Sequence, residues 1–275
     1  MKNRRTKRLS GKRHVLVTGA SSGIGKGFAE EYAKLGFHIA LTARREERLT
    51  ALAMELEQNH GVKTLIIPAD LSEEGAADRV LNTVEEAGWP VEILVNNAGF
   101  GISSKFAETD WDAQRDFLSV LLNVPVELSH KVLPGMIDRG FGRIINIASI
   151  MGHLPGTAGF TLYGPTKTFL IRFSEALWSE TAGTGVNVTA VCPGFTDSEF
   201  FDAAERGESA GRVPKVLWMT PNQVAAYGIE AAEARQSVIV PGHAYKATAA
   251  LFKLLPDPVS RRIMRTGSRW SNSTG

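Results

Sequence analysis

The chain has 275 residues, of which 43% are hydrophobic and 22% charged, and this is the composition of an ordinary globular protein. Its single cysteine, Cys192, excludes an internal disulfide and a cluster of thiolate metal ligands, so we expect a reducing compartment, the cytoplasm. Residues 1–13 carry seven basic residues and no acidic one; subtracting them from the formal net charge of +2 leaves −5, which argues against nucleic-acid binding.

The N-terminal residues 1–12 are rich in lysine and arginine and lack the apolar run of a secretory signal. We predict a disordered, basic tail, with a tether to an anionic membrane surface as the alternative. Further along, residues 144–166 contain no Asp, Glu, Lys or Arg. Their glycines and prolines nevertheless indicate a buried strand followed by a loop rather than a membrane span.

Strand-like and helix-like segments alternate along the rest of the chain. Short apolar runs predict strands at 14–18, 37–43, 62–70, 91–99, 142–149, 186–194 and 237–242. Helical spacing predicts helices near 25–36, 45–58, 73–87, 110–139 and 165–182. Apolar strands separated by helices form a parallel sheet covered on both faces. We therefore predict an α/β fold with a single doubly wound parallel sheet, a Rossmann-type domain over residues 13–242.

A glycine-rich turn, TGASSGIGKG, follows the first predicted strand and opens the first helix. Its glycines, Gly19, Gly23 and Gly25, permit positive φ angles and let a pyrophosphate approach the backbone. The N-terminus of the following helix favours the negative charge of that pyrophosphate. The turn therefore predicts a dinucleotide site.

The end of the second predicted strand indicates which dinucleotide binds. An acidic residue there would hydrogen-bond a ribose 2′-hydroxyl and repel a 2′-phosphate, whereas this chain has Ala43 followed by Arg44 and Arg45. Because a guanidinium pairs well with a phosphate, we expect NADP rather than NAD, with Arg44 as the main contact. The alternative is that both arginines are solvated residues at a helix start, where the helix dipole favours acidic side chains instead.

Further motifs follow in chain order at the predicted strand ends: NNAG (Asn96 to Gly99), Asn123, Ser149, and Tyr163 four residues before Lys167. With TGASSGIG before them and PGFT after the sixth strand, the chain resembles the short-chain dehydrogenase/reductase family over about residues 12–242. The resemblance implies an NADP-dependent oxidoreductase that transfers hydride between a nicotinamide and a carbonyl or secondary alcohol.

The resemblance implies that Ser149, Tyr163 and Lys167, assisted by Asn123, are the catalytic residues. Tyr163 would exchange a proton with the substrate oxygen, and Ser149 would hydrogen-bond the same oxygen. We expect the ammonium of Lys167, one helical turn away, to lower the pKa of the phenol, and Asn123 to hold a water that links Lys167 to solvent. Taken singly, each has a structural alternative: a core tyrosine, a surface cation, a helix cap or turn serine.

The resemblance also implies a set of coenzyme contacts at the strand ends. The expected residues are Gly19, Ser21, Ser22, Gly23, Ile24, Gly25, Arg44, Arg45, Asp70, Leu71, Asn97, Ala98, Gly99, Tyr163, Lys167, Pro193, Gly194 and Thr196. Asp70, expected at the adenine, has an alternative as the N-cap of the next helix. Asn96 is expected to stabilise the central sheet, and we expect no metal site.

The segment from Phe195 to about Pro221 is expected to cover the active site. We predict an apolar substrate pocket formed by Ile150, Met151, Phe195, Phe200 and Trp218, which favours a lipophilic ketone or acyl group. The alternative is that these residues only close the core.

Residues 243–275 predict a C-terminal helix followed by a proline turn and a basic tail. A partner-subunit interface in a homodimer or homotetramer is the first interpretation, and a peripheral membrane contact is the second. The leading functional hypothesis is an NADP(H)-dependent reductase of a small-molecule carbonyl. Its alternatives are a 3-oxoacyl-(carrier protein) reductase and a catalytically silent NADP-binding regulator.

Overall fold

A parallel β-sheet forms the centre of the protein in the computed structural model, which describes residues 13–102, 104–199 and 214–269. Its strands are β1 (His14–Thr18), β2 (His38–Ala43), β3 (Thr64–Pro68), β4 (Ile93–Asn96), β5 (Gly142–Ile147), β6 (Val186–Val191) and β7 (Val238–Ile239). They lie in the order β3-β2-β1-β4-β5-β6-β7, and every pair is parallel. The predicted doubly wound α/β fold is confirmed.

The helices of the described residues alternate with the strands; those up to residue 180 lie near the predicted positions, whereas the helix at Pro221–Glu233 was not predicted. They are α1 (Gly23–Lys34), α2 (Glu46–His60), α3 (Ala76–Glu86), α4 (Trp111–Leu118), α5 (Val124–Asp138), α6 (Tyr163–Glu180), α7 (Pro221–Glu233), α8 (His243–Leu254) and α9 (Asp257–Arg269). A π turn at Ser119–Asn123 joins α4 to α5, so the helical region predicted at 110–139 is one continuous rod. The C-terminal region differs from prediction: helix α9 occupies much of the expected basic tail.

Both faces of the sheet are buried because the strand side chains are apolar in both directions. Val15 and Val17 of β1 pack with Phe28 of α1 on one face, and Leu16 packs with Val80 of α3 on the other. This is the pattern of a parallel sheet sandwiched between helices.

The strand order places the loops after β1 and β4 side by side. The chain winds from β1 outward to β3 in one direction and from β4 outward to β7 in the other. In open parallel sheets the crevice for a ligand opens at the carboxyl ends of the strands where the order reverses. The glycine turn and the NNAG segment therefore meet at one edge.

A buried chain of polar groups connects the two central strands to α6. Asn96 Nδ2 donates to Asn146 Oδ1 at 2.8 Å and to Ser129 Oγ at 3.1 Å. Asn146 Nδ2 donates in turn to Ser174 Oγ at 2.8 Å, and that hydroxyl donates to the Leu170 carbonyl. Asn96 thus stabilises the sheet, as predicted.

Among the described residues, no helix has the length and apolar character needed to cross a bilayer. The uncharged stretch that begins at Ile144 is strand, loop and the start of α6. The predicted N-terminal tail (1–12) and the predicted pocket residue Phe200 lie outside the described residues.

Candidate active site

A cavity of about 450 Å³ lies at the carboxyl edge of the sheet. Apart from Gly25, all of the expected coenzyme residues line it, and so does Ser149. Further lining residues outside the sequence-based prediction are Ala43, Ala69, Ser72, Phe100, Asp116, Val120, Ile147, Ala148, Ser198 and Glu199.

The glycine turn is shaped by close backbone contacts. Gly19 has φ +65°, and a Cβ on it would lie 2.8 Å from the Ala98 Cα. A Cβ on Gly25 would lie 2.3 Å from the Gly19 carbonyl oxygen. The Asn97 side chain donates to the carbonyls of Thr18 (3.0 Å) and Gly19 (3.2 Å). Asn97 and Gly25 therefore hold the turn in place.

The N-terminus of α1 is open toward the cavity. Ser22 occupies the N-cap position, yet its side chain makes no capping hydrogen bond and the first turn has no acidic residue. Instead the Ser22 hydroxyl accepts from Arg45 Nη2 at 3.1 Å. The backbone N–H groups of this helix end can therefore receive the oxygens of a phosphate.

Asp70 lies in a tight turn at the far end of the cavity. Burial opposes its ionisation, but hydrogen bonds from the Ser72 N–H (2.9 Å) and hydroxyl (2.7 Å), with the charge of Arg44, lower the pKa of its carboxyl. Helix α3 begins only at Ala76 and has Gly75 at its N-cap. The alternative of Asp70 as a helix cap is therefore wrong.

The two arginines after β2 have different surroundings. Arg44 lines the cavity, and no hydrogen bond or ion pair holds it among residues 13–102, 104–199 and 214–269. Arg45 Nη1 pairs with Glu199 Oε2 at 2.9 Å, and its Nη2 donates to the Ser21 and Ser22 hydroxyls. Arg45 is nevertheless the N-cap of α2 and its side chain is 45% exposed, so the alternative of a solvated arginine at a helix start stays open.

Ser149, Tyr163 and Lys167 come together in the cavity. Ser149 follows β5 and its hydroxyl accepts from the Met151 N–H at 3.1 Å and shares a hydrogen bond with the Tyr163 phenol. Tyr163 is the first residue of α6, and Lys167 lies one turn later, 5.5 Å from Nζ to the phenol ring centroid. Lys167 is buried and donates to the Ile147 carbonyl at 2.7 Å.

The electrostatics of this group correct one expectation. Burial raises the pKa of Tyr163 to about 12, against the opposing effect of the Ser149 hydrogen bond, so the net shift is upward and not the predicted lowering. Burial also lowers the pKa of Lys167 to about 8. The reason is geometric: the ammonium bonds to the sheet backbone at Ile147 while desolvation penalises the phenolate. At neutral pH the phenol therefore carries its proton.

Asn123 is not part of this arrangement. Its side chain is exposed and does not line the cavity, whereas Asp116 and Val120 from the same rod do. A π turn takes more residues per turn than an α-helix, so Asn123 is rotated away from the face that carries Val120. Leu121 is the buried residue of the turn that approaches Gly99. The structure therefore does not bring Asn123 to the other three expected catalytic residues, and its role in holding a water stays a prediction.

The predicted substrate pocket is also corrected. Ile150, Met151, Phe195 and Trp218 do not line the cavity. Ile150 is buried with its N–H bonded to the Pro193 carbonyl, because the chain after β5 turns into a short 3₁₀ helix. Phe195 packs on Trp218, with ring centroids 5.4 Å apart.

Different apolar residues lie beside Tyr163. Phe100 and Val120 line the main cavity. A small adjoining space of about 10 Å³ lies between Tyr163 and a group from neighbouring loops and helices, which comprises Ile102, Ser104, Phe106, Gln114, Phe117, Thr161 and Leu162. The residues that directly follow β4 could have been found from their position at a strand end, as Gly99 was.

Tyr245 of α8 holds the chain segment that follows β6. Its hydroxyl accepts from the Phe195 N–H at 3.0 Å and donates to the Leu217 carbonyl at 2.9 Å. Its ring lies against Gly194, where a Cβ would come within 2.1 Å of a ring carbon. Burial raises the pKa of this phenol, which keeps the donated proton in place.

The chain is similar to known proteins over most of its length. A family model described as short chain dehydrogenase matches residues 13–209. Sulfoacetaldehyde reductase 2 of Chromohalobacter salexigens is 39% identical over 202 residues, which are 71% of this chain and 77% of that protein.

Solved structures show the same architecture. A 7β-hydroxysteroid dehydrogenase superposes with a TM-score of 0.84 at 26% identity, over 92% of this chain and 96% of its own. A short-chain dehydrogenase from Sphingobium yanoikuyae in complex with NADPH superposes with a TM-score of 0.76 at 30% identity, over 89% of this chain and 96% of its own.

Proposed function

The chain belongs to the short-chain dehydrogenase family, and from that premise we propose that it reduces a small-molecule aldehyde or ketone with NADPH. The observation that carries the proposal is the convergence of Ser149, Tyr163 and Lys167 in one cavity with an open helix N-terminus. A protein that had only kept nucleotide binding would have no need of this hydroxyl–phenol–ammonium group.

The choice of NADPH is supported by the charge at the end of β2. Arg44 and Arg45 line the cavity where an acidic residue would repel a 2′-phosphate. The hydroxyls of Ser21 and Ser22 lie beside Arg45 and can add hydrogen bonds to a phosphate. A relative from Sphingobium yanoikuyae, which is 30% identical, binds NADPH.

The chemistry follows from the protonation states. When bound, the nicotinamide supplies hydride to the carbonyl carbon. The Tyr163 phenol, protonated at neutral pH because its pKa is raised to about 12, donates its proton to the carbonyl oxygen. The Ser149 hydroxyl orients the phenol and offers a second hydrogen bond to the same oxygen.

Lys167 has two parts in this scheme. At neutral pH it is mostly charged, because its pKa is about 8, and its positive charge stabilises the phenolate that forms when Tyr163 gives up a proton. Its hydrogen bond to the Ile147 carbonyl holds the amine 5.5 Å from the centre of the phenol ring, and Lys167 would also bind the hydroxyls of the nicotinamide ribose. A stable phenol at neutral pH suits carbonyl reduction better than alcohol oxidation.

The substrate class is proposed from the walls beside Tyr163. Phe100 and Val120 are apolar, and the adjoining space is bordered by Ile102, Phe106 and Leu162. This lining favours a lipophilic carbonyl compound. The similarity to a steroid dehydrogenase supports such a substrate. The similarity to sulfoacetaldehyde reductase 2 supports a short anionic aldehyde instead.

We propose a homodimer or homotetramer built on the helices that follow β4 and β5. Large apolar side chains are exposed on them: Trp111 of α4, and Phe169 and Trp178 of α6. Exposed aromatic side chains grouped on neighbouring helices are typical of subunit interfaces.

The test is Tyr163→Phe. NADPH oxidation is measured with aliphatic, aromatic, steroid and acyl-thioester carbonyl compounds, and the best substrate is then used for the variant. We expect kcat to fall roughly 10²- to 10⁴-fold while the Kd for NADPH stays unchanged, because the phenol acts on the substrate oxygen. Tyr227→Phe, an exposed tyrosine on α7, is the matched control. Full activity in Tyr163→Phe would refute the assigned proton donor.

A further inference from the structure

We propose that Glu199 is an internal competitor of the 2′-phosphate and thereby sets how strongly the protein prefers NADPH over NADH. The proposal rests on the proposed use of NADPH. Beyond that proposed use, it assigns a role in coenzyme selection to an acidic residue from the opposite side of the cavity.

Glu199 is held by the arginines that open α2. Its Oε2 pairs with Arg45 Nη1 at 2.9 Å, and its Oε1 accepts a short hydrogen bond from Arg48 Nη1. Arg45 also donates to the hydroxyls of Ser21 (3.2 Å) and Ser22 (3.1 Å). Two guanidinium groups therefore bind a single carboxylate, and two hydroxyls lie beside the guanidinium of Arg45.

The surroundings of that carboxylate would also suit a phosphate monoester. Both anions are planar or tetrahedral oxygen clusters that accept paired hydrogen bonds from a guanidinium. The cluster lies where the charge after β2 predicts the 2′-phosphate, and Glu199 lines the same cavity. A phosphate that reaches Arg45 must therefore displace the carboxylate or share the arginine with it.

The charge on Glu199 is present at working pH. Hydrogen bonds from Arg48 and Arg45 lower the pKa of this carboxyl, so it is ionised near neutrality. Its neighbour Ser198 packs across the glycine turn, since a Cβ on Gly23 would lie 3.1 Å from the Ser198 Cβ. The carboxylate is thus positioned by the backbone on the far side of the turn.

Arg44 explains how NADPH can still bind. Within the part of the chain that the structure describes, Arg44 makes no hydrogen bond or ion pair, although it faces the charge of Asp70. It can therefore receive the phosphate first, and Arg45 follows when the phosphate replaces Glu199. The phosphate carries between one and two negative charges and the carboxylate carries one, so replacing the carboxylate by the phosphate at Arg45 is favourable. The gain in free energy is smaller than it would be without Glu199, because the ion pairs of Glu199 are lost.

The test is Glu199→Gln, which keeps the size of the side chain and removes its charge. Dissociation constants are measured for NADPH, NADH, 2′,5′-ADP and 5′-ADP by fluorescence or calorimetric titration. We expect NADPH and 2′,5′-ADP to bind roughly two- to five-fold more tightly, because solvent-exposed ion pairs of this kind are weak. NADH and 5′-ADP should be unchanged, since neither has a phosphate at this position.

The control is Glu47→Gln, an exposed acid in the first turn of α2 that removes the same charge without contacting Arg45. It should leave the ratio of NADPH to NADH affinity as in the wild type. An unchanged ratio in Glu199→Gln, or weaker NADPH binding, would overturn the role of Glu199 while the wild type still prefers NADPH. A wild type that binds NADH as tightly as NADPH would overturn both this inference and the proposed coenzyme.

Discussion

Lys167 is a buried amine that donates a hydrogen bond to the Ile147 carbonyl. Burial penalises the charged form of an amine, which is why the pKa of Lys167 is lowered from its ordinary value to about 8. The pKa of Lys167 is therefore set more by its buried position in the fold than by its neighbour Tyr163. The same burial acts on the phenol in the opposite direction.

This burial predicts a dependence of stability on pH. Between about pH 8 and pH 10 the unfolded chain binds more protons at Lys167 than the folded chain does, so the free energy of unfolding rises with pH. We expect the wild type to gain about 2 kcal/mol over this range relative to Lys167→Met, which cannot titrate. Urea unfolding of both proteins at several pH values measures the difference. A constant difference would show that the amine remains solvated.

The place of single residues at the cavity could be predicted where a strand end or a helix start fixes it. Ser149, Tyr163 and most of the expected coenzyme residues line the cavity because each follows a strand or opens a helix. Asn123 and Glu199 show the two limits of such prediction. A π turn leaves no signature in helical periodicity, and the contact between Arg45 and Glu199 joins residues 154 positions apart.

At the scale of elements, the turn between β1 and α1 depends on how closely its backbone packs. Gly25 lies where any side chain would meet the Gly19 carbonyl oxygen at 2.3 Å and Asn97 Nδ2 at 2.4 Å. Neither neighbour is a flexible side-chain end free to move, because Asn97 is itself bonded to Thr18. The element therefore has no spare volume at this residue.

Gly25→Ala should disturb the turn. We expect the free energy of unfolding to fall by about 1–3 kcal/mol and NADPH binding to weaken at least several-fold, because the added methyl displaces the backbone that receives the pyrophosphate. Thermal unfolding and coenzyme titration measure the two effects. Gly156→Ala is the matched control, since a Cβ there has no atom within 4 Å. Equal behaviour of the two variants would contradict the close-packed turn.

The elements themselves could be predicted from the sequence to a large extent. The apolar run at 14–18 forms β1, and the run at 186–194 contains the whole of β6 (Val186–Val191), because buried parallel strands need apolar side chains on both faces. The substrate pocket could not be predicted in the same way. Ile150 and Met151 lie in a short 3₁₀ helix that directs the chain away from the cavity. Neither the hydrophobicity nor the spacing of the residues predicts this 3₁₀ helix.

At the scale of the whole molecule, Tyr245 connects the C-terminal helices to the active site. Its hydroxyl bonds to Phe195 and Leu217, which lie on either side of the segment after β6, and its ring covers Gly194. The C-terminal helix α8 thus contacts the wall of the cavity next to Pro193 and Gly194, which are expected to contact the coenzyme.

Tyr245→Phe removes both hydrogen bonds and keeps the ring. We expect the free energy of unfolding to fall by about 1–3 kcal/mol, because the Phe195 N–H and the Leu217 carbonyl lose their partner. The Kd for NADPH should rise as well, since the contact next to Gly194 loosens. Denaturant unfolding and coenzyme titration, with Tyr227→Phe as control, measure both effects. A variant indistinguishable from wild type would rule out the connection.

The buried amide chain from Asn96 through Asn146 to Ser174 also determines the angular setting of α6 about its own axis. Apolar packing alone would tolerate a small rotation of that helix, but a rotated Ser174 would leave the Asn146 amide in hydrocarbon without a partner, at a cost of about 1–3 kcal/mol. In the proposed reaction, the phenol and the amine at the start of α6 would therefore face the carbonyl from one side only. For a prochiral ketone, the handedness of the alcohol would be decided in part by two asparagines in the middle of the sheet.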